Sequence, residues 1–254
     1  MMRDPERTIG ARTVGKRNIR AEELLRFEDQ VVSDGNFSDR KLLSLAAMGC
    51  RFERCLFERL RVEDAKFGLG AIQTVYRDCS FDGSLIRAPS PGNARFERCS
   101  FRDVRLRDWI AFEIELVDCI FTGRADKCIF NGTVLENRQQ RAGRHVNQYS
   151  GNDFSNMELY DVAFRTGVDL DKQKLPTGPR YVHVVNAESA IAHTRAAVSE
   201  WQDESEMMDA LAILRWLEKE TRGGQDQLFL QENDSRDVTM TKVFELLRAR
   251  AEKQ

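Results

Sequence analysis

Large apolar residues recur every five positions through much of the first two thirds of this chain. Phe37, Leu42, Ala47, Phe52, Phe57, Val62 and Phe67 form one run. Two positions before each stand Gly35, Arg40, Leu45, Cys50, Cys55, Leu60 and Ala65, small in four of the seven cases. The register breaks after Phe67. It resumes as Phe81, Ile86, Pro91, Phe96, Phe101, Leu106, Ala111, Leu116 and Phe121, with Cys79, Ser84, Pro89, Ala94, Cys99, Val104, Trp109, Ile114 and Cys119 two places before. After a slip come Phe130 and Leu135, and Phe154, Leu159 and Phe164 make a last fragment. A helix repeats every 3.6 residues and drifts out of phase with five, so helical amphipathicity does not produce this pattern.

All six cysteines fall in one word, Cys-x-Phe, at Cys50, Cys55, Cys79, Cys99, Cys119 and Cys128. Cys79, Cys99 and Cys119 stand 20 residues apart, and a fixed period of that size marks a repeat architecture. On these words and the five-residue register, the chain resembles the pentapeptide-repeat family over roughly residues 35–170. That family's consensus is Ala-(Asp/Asn)-Leu-x-x, with Cys and Phe variants. The resemblance implies an all-β, right-handed quadrilateral β-helix in which four pentapeptides make one square coil. Cys79, Cys99 and Cys119 then stack in one internal column, and Phe81, Phe101 and Phe121 in another. At the strand spacing of about 4.8 Å, residues 35–135 make roughly five coils and a rod about 24 Å long. Trp109 occupies a small-residue position, so it either plugs a widened coil or the register yields there. Residues 1–34 are expected to hold a cap for one end, around Ile19 to Val32. The polar stretch 136–151 reads as a loop leaving the solenoid.

The register is gone by residue 171, and residues 171–254 read as an α-helical appendage. Pro176, Gly178 and Pro179 mark a connector. Helices are expected from Ala187 to Trp201 with Asn186 as N-cap, from Glu204 to Glu220, and from Val238 to Glu252 with Asp237 as cap. Amphipathic helices must bury a stripe. These three are expected to close the solenoid, to pair two copies into a homodimer, or to bind a partner.

Composition narrows the function more than it names it. No apolar run is long enough for a membrane span, and the first residues carry no apolar signal core, so a cytoplasmic protein with reduced thiols is expected. Gly10 to Arg17 matches a phosphate loop except that Arg17 stands where Ser or Thr should hold magnesium. Gly68-Leu-Gly70 lacks the third glycine of a dinucleotide fingerprint. His145, His183 and His193 show no metal-ligand spacing. No cofactor, metal or catalytic set is expected, and the chain reads as a non-enzyme.

Function is expected to lie in a rigid interaction surface for a protein partner. Some pentapeptide-repeat proteins protect DNA gyrase by resembling DNA in width and negative charge, which makes a topoisomerase-protecting factor the alternative. Residues 31–170 carry 20 acidic and 20 basic side chains, a net charge of zero. A neutral rod gains little from a phosphate-binding saddle, and it is an equally poor binder of nucleic acid. Pairs such as Glu53 with Arg54, Glu58 with Arg59 and Glu97 with Arg98 read as ladders on a solvated wall. Ile110, Phe112, Val117 and Ile120 should point outward in this register. They form a candidate docking face, either covered by the C-terminal helices or open to a partner.

Overall fold

The computed structural model describes residues 23–232 and 238–251. Its main body is a β-solenoid of about eight turns, built almost wholly of parallel strands. One sheet runs through Glu23–Glu28, Lys41–Met48, Arg61–Leu69, Leu85–Arg87, Ser100–Arg107, Ile120–Asn131, Asn152–Arg165 and Gln173–Lys174. A second runs through Val31–Ser33, Arg51–Glu53, Thr74–Arg77, Ala94–Glu97, Ile114–Val117 and Tyr149–Ser150.

Steps of five carry the chain round four faces. Ala47, Phe52, Phe57 and Val62 sit on successive faces, and Phe67 returns above Ala47. Each face therefore stacks residues one coil apart. Phe57, Phe81, Phe101, Phe121 and Phe154 form one column, with neighbouring ring centroids 4.5–5.0 Å apart and planes within 10° of parallel. Phe52, Tyr76 and Phe96 form a second column, at 4.9 and 4.8 Å. These spacings match the distance between strands, so the backbone ladder sets the stacking. Each such pair contributes about 0.5–1.5 kcal/mol beyond its buried area.

Cys55, Cys79, Cys99 and Cys119 are buried, unpaired thiols, and each donates weakly to backbone carbonyls. Burial pushes the Cys99 thiol well above its ordinary range and Cys128 up to about 12. The column ends in Asn152, whose amide accepts from Cys119 N (3.1 Å) and donates to Leu116 O (2.8 Å) and Gln173 Oε1 (2.9 Å).

The coils are unequal. Val62 pairs with Ile86, a coil of 24 residues, whereas Ile86 to Leu106 is 20 and Leu106 to Ala125 is 19. The break after Phe67 is the four extra residues. The register resumes one step earlier than the Phe81 at which sequence reading picks it up. Tyr76 is fully buried, and its hydroxyl donates to Phe67 O at 3.1 Å. Trp109 plugs the interior. It is fully buried and stacks on Phe67, two coils away, at 5.6 Å, where Ala88, Pro91 and Ala111 leave room. Gly68 is explained by close approach rather than by a nucleotide, since a Cβ there would meet Asn93 O at 1.9 Å.

Three boundaries differ from expectation. The solenoid reaches back past residue 35, because Phe27 and Val32 precede Phe37 in steps of five and their strands pair with the next coil. It also runs on to Lys174, paired with Asp153. The stretch 136–151 is no featureless loop. It carries helix α1 (Glu136–Ala142), and Tyr149–Ser150 rejoins the second sheet.

The C-terminal region is not purely helical. Tyr181–Val184 and Leu228–Gln231 form an antiparallel pair beside α2 (Ala187–Val198), α3 (Glu204–Arg222) and α4 (Val238–Ala251). Asn186 caps α2 as expected, accepting from Ser189 N. Asp237, the Gly10–Arg17 stretch and the start of the N-terminal cap segment lie outside the described residues. The helices have their own core of Val184, Ile191, Leu214, Leu217, Val243 and Phe244. Glutamine side chains bind this region to the last coil. Gln231 accepts from Val162 N and donates to Val162 O, both at 2.9 Å. Gln225 accepts from Gly167 N and Val168 N and donates to Val168 O. Gln227 accepts from Leu170 N at 2.6 Å. These amides take the place of the next coil's backbone.

Candidate functional site

The surface that a solenoid offers is its walls, where residues on either side of each buried centre point outward. On the Phe52 face the wall alternates in sign from coil to coil at its corner and along Glu53, Arg77 and Glu97, while the column between them reads Arg51, Val75, Arg95 and Glu115. Asp34, Arg54, Asp78, Arg98 and Asp118 stand at the corner of successive coils, all with positive φ. Arg54 binds Asp34 through two nitrogens at 2.8 and 2.9 Å, and Arg98 binds Asp78 at 2.8 and 3.0 Å. Arg59 grips Asp39 in the same way at the next corner. Arginine is unfavourable in the left-handed region, and these forks hold it there. The Arg54 hydrogen bonds hold Asp34 below the usual carboxylate range, and those of Arg59 do the same for Asp39. The expected ladder pairs are present: Arg59 with Glu58 at 2.9 Å, Arg98 with Glu97 at 2.5 Å, and a looser Arg54 with Glu53 at 4.0 Å. The bonds between coils accompany them.

The 132–148 excursion folds back onto this same wall. Glu113, 1% exposed, accepts from Arg138 Nη1 at 3.1 Å and from Arg141 Nη2 at 2.6 and 2.8 Å. Arg144 donates to Asn93 Oδ1 and Glu113 O, both at 2.7 Å. Burial lowers its pKa against the pull of Glu115 and Glu113. Glu115 receives Gln73 (2.9 Å), Arg95 (3.3 Å) and Gln148 N (3.0 Å). The three loop arginines are thus engaged with carboxylates and backbone rather than offered to phosphate.

The four expected docking residues do not form one patch. Ile110 and Phe112 are half-buried, and Arg138 of α1 lies over the Phe112 ring at 5.6 Å. Val117 is 8% exposed on the second sheet. Ile120, 39% exposed, starts a strand of the first sheet. The excursion covers this region, while the C-terminal unit packs at the end of the solenoid through Leu228–Gln231 on Asn152–Arg165.

Of the three histidines, His145 Nδ1 lies 2.6 Å from Gln139 Oε1 and His193 Nδ1 lies 2.7 Å from Ser189 O. Burial lowers the pKa of His183. Among the described residues no cluster of His, Cys, Asp or Glu could hold a metal ion, and no helix is long and apolar enough to cross a membrane.

Two surfaces escaped the sequence reading. The Leu106 face carries a basic wall, legible only once residues 19–24 apart are aligned in columns. The exposed side of α3 carries Met208 and Trp216, which stand eight apart and so share one side of the helix. Neither a protein-family model nor a curated protein matches the chain.

Proposed function

We propose that this chain is a non-enzymatic protein-interaction module of the pentapeptide-repeat type, a stiff rod that presents flat walls to a protein partner. The carrying observation is how its buried polar groups are spent. Glu113, Glu115, Arg144 and Asn147 satisfy one another and the backbone, leaving no poised acid, base or nucleophile among them. The outward residues meanwhile form regular ladders at strand spacing, suited to matching another surface. A photo-crosslinking residue placed singly at Val75, Leu56, Leu85 and Lys66, one on each of the four faces, in cells of the source organism, tests the reading. A discrete adduct from one wall is the expected result. Absence of any adduct from every wall, with the protein folded, would sink it.

DNA mimicry at a topoisomerase remains the alternative by resemblance. The alternation of sign on the Phe52 wall weighs against it, since a mimic needs its acids gathered on one face. A gyrase supercoiling assay separates the two. No inhibition and no quinolone protection is expected at tens of micromolar protein, and activity at low micromolar would reverse the ranking.

A further inference from the structure

The Leu106 face departs from the alternation at the corner of the Phe52 wall, because it sets cations directly against each other on adjacent strands. Its strands place Lys41 beside Arg61, Arg61 beside Leu85, Leu85 beside Arg105 and Arg105 beside Arg124. Arg87 lies beside Arg107 in the parallel row, which Asp126 continues. Like charges directly opposite one another destabilise a sheet, so this arrangement costs the fold something. Lys41, Arg61, Arg105 and Arg107 are exposed and have no carboxylate within 4.0 Å among the described residues, whereas Arg87 is tied to Asp108 at 2.7 Å and Arg124 to Asp126 at 3.3 Å. Arg105, Arg107 and Arg124 line a shallow groove beside Gly123, with Asp103, Asp126 and Glu158 on its other positions.

Resting on the interaction-module reading, we propose that this basic lane binds an acidic segment of a partner protein, laid in extended form along the solenoid axis. From Lys41 to Arg124 the lane crosses four strand intervals, about 19 Å, which about six extended residues would span. Two features favour a peptide over nucleic acid. Glu63, Asp126 and Glu158 also face outward here, and they would repel a continuous phosphate backbone while a peptide's acids can be spaced to avoid them. Leu43, 44% exposed, and Leu85 offer apolar footing between the cations, whereas the aromatic ring on this face, Tyr160, is already covered by Arg124 at 3.7 Å and Arg180 at 4.5 Å.

Fluorescence polarisation of the full chain with a labelled glutamate-rich peptide carrying leucine at every third position tests this. Binding is expected, weakening several-fold as salt rises from about 0.05 to 0.2 M. The double variant Arg61→Glu/Arg105→Glu should bind about tenfold more weakly or worse. Arg61→Gln/Arg105→Gln serves if the first fails to fold, and Arg51→Glu on the other wall should bind like wild type. No binding at high micromolar protein overturns the proposal, as does equal loss in Arg51→Glu. Tighter binding of a single-stranded oligothymidylate than of the peptide also overturns it, in favour of nucleic acid. A crosslinked protein partner captured from Val75 instead of Leu85 would keep the module and discard this lane.

Discussion

Replacing Gln225 by leucine tests whether side-chain amides close the solenoid. Gln225 is 1% exposed and its side chain makes four hydrogen bonds. Leucine keeps most of the volume, so the cost comes from the partners left behind. Val168 N–H and C=O, at 3.0 and 2.9 Å from the amide, are in fully buried bonds. Stranding each costs about 1–3 kcal/mol, so about 2–6 kcal/mol is expected in all. Gly167 N–H and Gln227 C=O are only part-buried and can turn to water, so they add little. The solenoid and the helices have separate cores, so a single unfolding midpoint need not describe both. Amide hydrogen exchange is therefore the assay. Protection should fall by about 30-fold or more at Val168, with losses also at Gly167 and Leu170, and less in the strand Lys41–Met48 near the other end of the stack. A loss below about 1 kcal/mol at Val168 would mean that the glutamines are incidental and that apolar contact alone docks the C-terminal unit.

Three further outcomes follow from the interior. Trp109→Ala should lower stability by about 3–5 kcal/mol in urea unfolding, because Ala88, Pro91 and Ala111 cannot close on the space; a loss under about 1 kcal/mol would show the ring is no plug. All six thiols are buried, so a thiol reagent at mildly alkaline pH should label none quickly in the native protein and all six in denaturant; rapid labelling of two or more would refute the closed column. His183 is held neutral by burial, with its folded pKa below the ordinary value of about 6.5. The unfolded chain therefore takes up the proton first. Stability at the C-terminal sheet is full above that value and declines as pH falls through it, and His183→Phe should flatten the decline seen in a pH series of thermal melts.

The repeat was legible because its signal is redundant. Phe81, Phe101 and Phe121 each repeat the same constraint, so one irregular coil cannot hide the period. Where the constraint is met by another residue type, reading from a Cys-x-Phe word fails. Thr74 and Tyr76 occupy the places of Cys79 and Phe81 one face earlier, and Phe27 and Val32 extend the series backward, yet none belongs to that word. The outward patch failed for a different reason. Ile110, Phe112, Val117 and Ile120 are close in sequence, but a chain that turns a corner every five residues sends such neighbours onto different faces. The cover on Phe112 comes from an insertion whose polar sequence gives no hint that Glu113 is waiting for Arg138 and Arg141. Surface function in a solenoid is written across coils, and a linear reading does not see it.

The same point gives the basic lane its weight. In a parallel sheet each outward residue meets the one a coil away at about 4.8 Å, so charge order along a column is a property that folding itself constrains. On the Phe52 wall the order is the favourable one, Asp34 over Arg54 and Asp78 over Arg98. Folding stability alone favours that order on every wall. On the Leu106 face Lys41 and Arg61, and again Arg105 and Arg124, are set against each other. An acidic residue at Arg61 or Arg105 would relieve the repulsion without touching the core, since both side chains face solvent. Arg124 recovers part of this cost through Asp126 and the Tyr160 ring. Among the described residues Lys41, Arg61 and Arg105 have no carboxylate within 4.0 Å, and a ligand of opposite charge is the simplest thing that recovers their share. Arg105→Glu should accordingly raise the melting temperature slightly while weakening the acidic peptide, and a variant that lost both stability and binding would place Arg105 in the structure rather than the interface.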